Sequence, residues 1–136
     1  MFVTLASGRE LSIQFVHSSH DFKTQDSARP GGLRQITDNL ARSLRRRVSL
    51  CEIADVTVED ATEQTGVAGS TTTSFVPIAQ GFGVCHWIDQ FDKLSGRAYS
   101  LDRALEVSGL THEEQEEVWQ HFAEELDRLL DMTAQF

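Results

Sequence analysis

Residues 81–106, GFGVCHWIDQFDKLSGRAYSLDRALE, pass from the end of a predicted strand into a predicted helix. Asp89 or Asp92 can cap this helix, and Gly109 can end it. The helix itself is indicated by a stripe of apolar residues at helical spacing, namely Phe91, Leu94, Ala98, Leu101 and Leu105. We therefore expect one side of the helix to face the core.

The same helix carries Gly96, directly followed by Arg97. A glycine inside a helix costs about 1 kcal/mol relative to alanine, so close packing or a ligand against the backbone must compensate. Arg97 and Arg103, together with Lys93, can hold phosphate groups, because a guanidinium is a planar bidentate donor that stays charged. They can equally form a solvated surface that pairs with nearby carboxylates. Spacing alone leaves both interpretations open.

A long strand is predicted upstream, at residues 47–60, RVSLCEIADVTVED. Its apolar residues alternate in steps of two, and the alternation changes phase midway, which indicates a bulge or a twist. The polar, glycine-containing residues that follow predict a mobile loop at 60–74.

The partner of this strand is predicted at residues 75–87, FVPIAQGFGVCHW. Pro77 favours an edge strand or an irregular start, because proline cannot donate to the hydrogen-bond ladder. Gly81 and Gly83 indicate a bulge or a close approach of another backbone.

The N-terminal third predicts a hairpin followed by a loop and a helix. Residues 2–19, FVTLASGRELSIQFVHSS, hold two strand-like runs around a Ser-Gly turn, and the polar residues 21–32 predict a loop. An amphipathic helix is expected to end near Arg46, with an apolar stripe at Leu33, Ile36, Leu40 and Leu44.

A last helix is predicted from Thr111, which forms a capping box with Glu114. Its apolar side consists of Val118, Trp119, Phe122, Leu126, Leu129 and Leu130. The predicted order is β-β-α-β-β-α-α, an α+β single domain over 1–136 with an antiparallel sheet of about four strands covered by helices. Because the last helix offers more apolar surface than this sheet needs, we expect a homo-oligomer, at least a dimer.

The net charge of -9 is concentrated in residues 111–136, which hold one basic and eight acidic side chains. Bulk affinity for nucleic acid is therefore not expected, although a local anion site is compatible with this distribution. No apolar run approaches the roughly 18 residues of a membrane span, and we expect a protein of the cytoplasm that does not bind membranes.

The sequence predicts neither a metal, nor a cofactor, nor catalysis. His17, His20, Cys85 and His86 were the candidate zinc ligands, but neighbours on a strand point to opposite faces. Neither a nucleophile elbow nor a phosphate-binding P-loop is present. The basic run RSLRRR at 42–47 is interpreted as a solvated helix end or as part of an anion pocket.

The strand-to-helix segment resembles a module of small proteins encoded by bacteriophages, C-H-P-x-D-x-F-x4-G-R-x-x-A-L-x-R-A-L. The matching residues are Cys85-His86, Asp89, Phe91, Gly96-Arg97, Leu101 and Arg103-Ala104-Leu105. RVSLCEI at 47–53 is similar to the upstream strand of that module, R-x-T-T-C-x-I, and Trp87 stands where the module has proline. The two segments together cover about half of the chain.

Within this group the chain resembles the Thoeris anti-defence 1 type of phage counter-defence protein. The resemblance implies an oligomeric sponge in the infected bacterial cell, which binds cyclic ADP-ribose or a cyclic oligonucleotide without cleaving it. Phe91, Arg97 and Arg103 are the residues matched to the module, and with Arg47 they are the predicted ligand contacts. The ring would stack on a base and the guanidinium groups would bind phosphate.

Two other functions remain open. The first alternative is an acidic inhibitor of a bacterial defence effector, similar in action to an anti-CRISPR protein, whose helix 112–131 docks on a basic groove. The second is a nuclease or hydrolase that degrades a messenger, which ranks last because the sequence holds no constellation of nucleophile and general base.

Overall fold

A computed structural model of the chain describes residues 1–18, 32–60, 71–85 and 93–134. In chain order, the elements are β1 (Phe2–Thr4), β2 (Glu10–His17), α1 (Leu33–Leu44), β3 (Val48–Asp60), β4 (Thr71–Val84), α2 (Lys93–Val107) and α3 (His112–Ala134). The predicted α+β class and the order β-β-α-β-β-α-α are confirmed. Within the described residues, no helix has both the length and the apolar character needed to cross a membrane.

The four strands form one antiparallel sheet in the order β1-β2-β3-β4. β4 is therefore an edge strand, as Pro77 indicated. The register shifts beside Ile53, which pairs with Ala79, while the next residue, Ala54, pairs with Pro77. Ile78 is thus the extra residue of a bulge in β4, which lies opposite the part of β3 where a bulge or a twist was predicted.

The connection between β3 and β4 is shorter than predicted. β3 ends at Asp60, where the strand was predicted to end, but β4 begins at Thr71, so residues 71–74 of the predicted loop belong to a strand. Residues 61–70 lie outside the described part of the chain.

One face of the sheet packs against α2 and α3. The buried core consists of Val3, Leu5, Leu11, Ile13, Cys51, Ile53, Ala79, Leu101, Ala104, Leu105, Leu110, Val118 and Phe122. At Gly81, a Cβ would lie 2.2 Å from the Ala104 nitrogen and 2.3 Å from the Ser100 oxygen. The backbone of α2 therefore lies directly on β4, which confirms the predicted close approach.

The apolar stripe predicted for α1 is not the side of the helix that is most buried. Ile36 and Leu44 are exposed, and the buried residues of this helix are Thr37, Asp38 and Ala41. α1 contacts β2 and β3, and small side chains allow this approach. The buried Thr37 hydroxyl donates a 2.8 Å hydrogen bond to the Leu33 carbonyl oxygen, which satisfies its polarity.

α3 begins with the predicted capping box. The Glu114 amide donates to the Thr111 hydroxyl at 3.2 Å, and the Thr111 amide donates to the Glu114 carboxylate at 3.0 Å. Val118 and Phe122 are buried in the core, and the Trp119 ring packs edge-on against Phe122 at 5.6 Å. The described apolar side chains of α3 thus pack against the core of their own chain. The side chains of Leu129 and Leu130 lie outside the described residues.

Candidate anion-binding site

Three elements meet at one end of the sheet, where β2 ends, β3 begins and α2 makes its first turns. His17 at the end of β2 pairs directly with Ser49 of β3. The Ser49 hydroxyl and His17 Nδ1 are 2.7 Å apart and share a hydrogen bond. α2 packs directly on this pair of side chains.

Gly96 is the residue of α2 that lies against His17 and Ser49. A Cβ at position 96 would be 2.1 Å from the Ser49 hydroxyl oxygen and 3.7 Å from His17 Cε1. Any side chain would therefore push the helix away from the sheet, and close packing is the reason for the helical glycine. The same contact holds the next residue, Arg97, beside His17.

Arg97 lies over an aromatic ring, in a geometry that leaves its charge available. Its guanidinium carbon is 5.8 Å from the centre of the Phe15 ring, within the range of a cation–π interaction. Its Nε is buried and makes no hydrogen bond. Among the described residues, no carboxylate forms an ion pair with Arg97. A buried donor of this kind is costly unless a ligand satisfies it.

Three positive charges converge on His17. Burial, together with the positive charges of Arg97, Lys93 and Arg47, lowers the pKa of His17 to about 4. The imidazole is therefore neutral at pH 7, while its neighbours carry the positive charge. A group of cations around a neutral imidazole attracts anions.

A cavity of about 510 Å³ lies beside Arg97. The other residues that line it are Met1, Ile13, Gln14, Phe15, Val16, Phe122, Glu125 and Leu126. Phe15 and Phe122 lie 5.9 Å apart between ring centres and form an aromatic wall. Glu125, which also lines the cavity, is bound by Arg128. The cavity thus combines a flat apolar surface with a guanidinium.

The structure brings together some of the predicted contacts and not others. The positive charges of Arg47 and Arg97 both lower the pKa of His17, so the two side chains belong to one cluster. Arg103 has an exposed side chain 3.8 Å from Glu106, and it lines a separate groove with Tyr99. Phe91 lies outside the described residues.

Phe15 and Ser49 were not predicted as site residues, and His17 was considered only as a zinc ligand. Their signal in the sequence is the two-residue alternation of β2, which places Phe15 and His17 on one face. The pairing of His17 with Ser49 requires the register of the sheet, which the alternation does not supply.

Neither a metal site nor a nucleophile emerges from this cluster. In the part of the chain that the structure describes, no three His, Cys, Asp or Glu side chains gather as metal ligands, and His20 and His86 lie outside that part. Ser49 is fully buried beneath Gly96, so its hydroxyl cannot reach a substrate. Burial raises the pKa of the Cys51 thiol to about 12, which keeps it protonated.

Comparison of the chain with protein-family models, curated proteins and solved structures finds no match.

Proposed function

We propose that this chain is a phage counter-defence protein that binds and sequesters a nucleotide-derived immune signal, a cyclic ADP-ribose or a cyclic oligonucleotide, without cleaving it. The observation that carries the proposal is the Arg97 guanidinium, which lies over the Phe15 ring beside a cavity and has a buried Nε without a hydrogen bond. The resemblance of the strand-to-helix segment to the phage module supplies the biological class.

The cluster offers both kinds of contact that a cyclic nucleotide requires. Its phosphates need positive charge, which Arg97, Lys93 and Arg47 provide around one point. Its bases need flat apolar surfaces, which Phe15 and Phe122 provide in the wall of the cavity. A volume of about 510 Å³ lies in the range usual for small-molecule sites.

The state of two polar groups supports storage rather than cleavage. With a pKa of about 4, His17 is a neutral imidazole at pH 7 and is not charged to act there as a general acid. The Ser49 hydroxyl, its hydrogen-bond partner, is buried under α2. The cations at this site can bind and orient an anion, whereas neither His17 nor Ser49 supplies a general acid or an accessible nucleophile for hydrolysis at pH 7.

The proposal extends to the other predicted contacts and to the assembly. Phe91 remains a predicted stacking residue, and Arg103 a predicted contact from the groove that it shares with Tyr99. The protein would act in the cytoplasm of the infected bacterium as a homo-oligomer.

The acidic-inhibitor hypothesis ranks second because two glutamates of α3 make contacts within the chain that stabilise the fold. Glu117 accepts a 2.8 Å hydrogen bond from the Ala6 amide, and Glu114 caps the helix and lies 3.9 Å from Arg9. Glu113 and Glu116 are exposed and would have to supply the contacts to a basic effector.

The proposal is tested by incubating the purified protein with a panel of cyclic ADP-ribose isomers, cyclic dinucleotides and cyclic trinucleotides. After removal of unbound compound and heat denaturation, chromatography identifies what is released. Release of one compound unchanged supports the sponge, whereas a cleaved product would indicate an enzyme. If no compound is retained, the proposal fails and the acidic inhibitor becomes the better hypothesis.

A further inference from the structure

The outer halves of β3 and β4 form a two-stranded ribbon that extends beyond β2. The pairing of β2 with β3 ends at Leu11 and Asp55, whereas β3 and β4 remain paired as far as Asp60 and Thr71. We call residues 55–60 and 71–76 the ribbon. Within the described residues, β2 pairs with the ribbon only at Asp55, and β1 does not pair with it.

The ribbon exposes apolar side chains on both of its faces. Val58 is 60% exposed, Phe75 53% and Val76 52%. Phe75 lies on the same face of the ribbon as Val58, and Val76 lies on the opposite face. An isolated two-stranded ribbon is at best marginally stable in water. Exposed apolar residues on both of its faces therefore indicate a surface that another molecule covers when the protein functions.

The edge of the ribbon on β4 has the properties of a strand that pairs with its own copy. Residues 71–76, TTTSFV, are rich in β-branched and aromatic residues and contain neither charge, glycine nor proline. Natural edge strands normally carry a lysine or a proline that prevents pairing, and here the first proline follows at position 77.

The orientation of the backbone amides can be derived from Pro77. Pro77 has no N–H, so its nitrogen cannot donate to β3, and residues in the same phase, including Phe75 and Thr73, direct their amides to the free edge. Antiparallel pairing of two β4 edges would satisfy these donors and would bring Phe75 of each chain close to its partner.

Charge determines which edge of the ribbon a second copy can pair with. The chain carries a net charge of -9, so two copies repel each other over most of their surface. β4 is uncharged from Thr71 to Val84, whereas the β3 side of the ribbon ends in the acidic residues Glu59 and Asp60. Like charges opposite each other destabilise a strand pair, and only the β4 edge avoids them.

We propose that this chain forms a homodimer by antiparallel pairing of β4 residues 71–76 of two copies, with the exposed apolar side chains of the ribbon packed across the contact. The inference gives a surface to the proposed homo-oligomer and does not depend on any ligand.

The test is the mass of the full chain in solution, measured by light scattering at micromolar concentrations. We expect twice the mass of one chain for the wild type and the mass of one chain for Val58→Lys and for Thr73→Pro. Thr73→Pro removes an amide at the free edge and no donor to β3. Val107→Lys is the matched control, because Val107 is a similarly exposed valine on α2, and it should stay dimeric.

Circular dichroism of each variant checks that the monomer keeps its secondary structure. A wild-type mass of one chain over the whole concentration range would overturn the proposal. It would also be overturned if both ribbon variants stayed dimeric while remaining folded. Since no nucleotide is present in these measurements, their outcome is separate from that of the uptake experiment.

Discussion

Gly96 lies so close to Ser49 that a Cβ at position 96 would be 2.1 Å from the Ser49 hydroxyl oxygen and 3.0 Å from its Cβ. The first turns of α2 are therefore fixed against the start of β3. Because Arg97 follows directly, the position of the proposed anion contact depends on this packing.

Gly96→Ala should destabilise the fold by about 1–3 kcal/mol, although alanine has the higher helix propensity, because the added methyl group overlaps Ser49. Denaturant unfolding measures the loss. Combining it with Ser49→Ala, which removes the overlapping oxygen, should make the effect of Gly96→Ala smaller than in the wild type. An increase in stability for Gly96→Ala alone would contradict the described packing.

Gly81→Ala should be more damaging than Gly96→Ala, with a loss of about 3 kcal/mol or more. The new Cβ would meet backbone atoms of Ser100 and Ala104, which cannot move aside as a side chain can. Gly32→Ala is the control, since a Cβ at position 32 has nothing within 4 Å, and it should cost less than about 1 kcal/mol. Equal losses for the two variants would mean that α2 does not lie on β4 as described.

The pKa of His17 can be measured by following its imidazole signals in an NMR titration, which should give a midpoint at about 4 instead of the usual 6.5. Arg97→Gln should raise this midpoint, because it removes a nearby positive charge. A wild-type midpoint near 6.5 would show that His17 is neither buried nor surrounded by cations.

The lowered pKa of His17 also has a consequence for stability. Between pH 6.5 and about 4 the unfolded chain binds a proton at His17 and the folded chain does not, so this residue lowers stability as the pH falls through that window. His17→Gln should therefore reduce the loss of thermal stability between pH 7 and pH 5. An equal loss in His17→Gln and in the wild type would contradict a buried His17 that stays neutral in the folded chain.

Local signals in the sequence were sufficient for most of the fold. Gly109 ends α2 with a positive φ of 76°, and Pro77 lies in an edge strand. Each of these two features follows from the backbone properties of one residue, a glycine or a proline. The buried side of α1 depends instead on which residues allow the helix to approach the sheet. Thr37 and Ala41 are buried there, whereas the larger Ile36 and Leu44 are exposed.

The candidate site was predictable only in part, for a related reason. Arg47 and Arg97 were identified as cations, but their convergence depends on the pairing of His17 with Ser49 across β2 and β3. That register is a property of the assembled sheet. Arg103 lies six residues after Arg97 and lines a different groove.

The central claim is that Arg97 binds the phosphate of a nucleotide-derived signal, and equilibrium dialysis with cyclic ADP-ribose and with a cyclic dinucleotide tests it directly. Arg97→Glu should weaken the binding of the retained compound at least about 100-fold, because it replaces a charged donor with a repelling carboxylate. Arg34→Glu makes the same change of charge at an exposed residue of α1 and should bind like the wild type. Binding by a folded Arg97→Glu variant that equals the wild type would contradict the account.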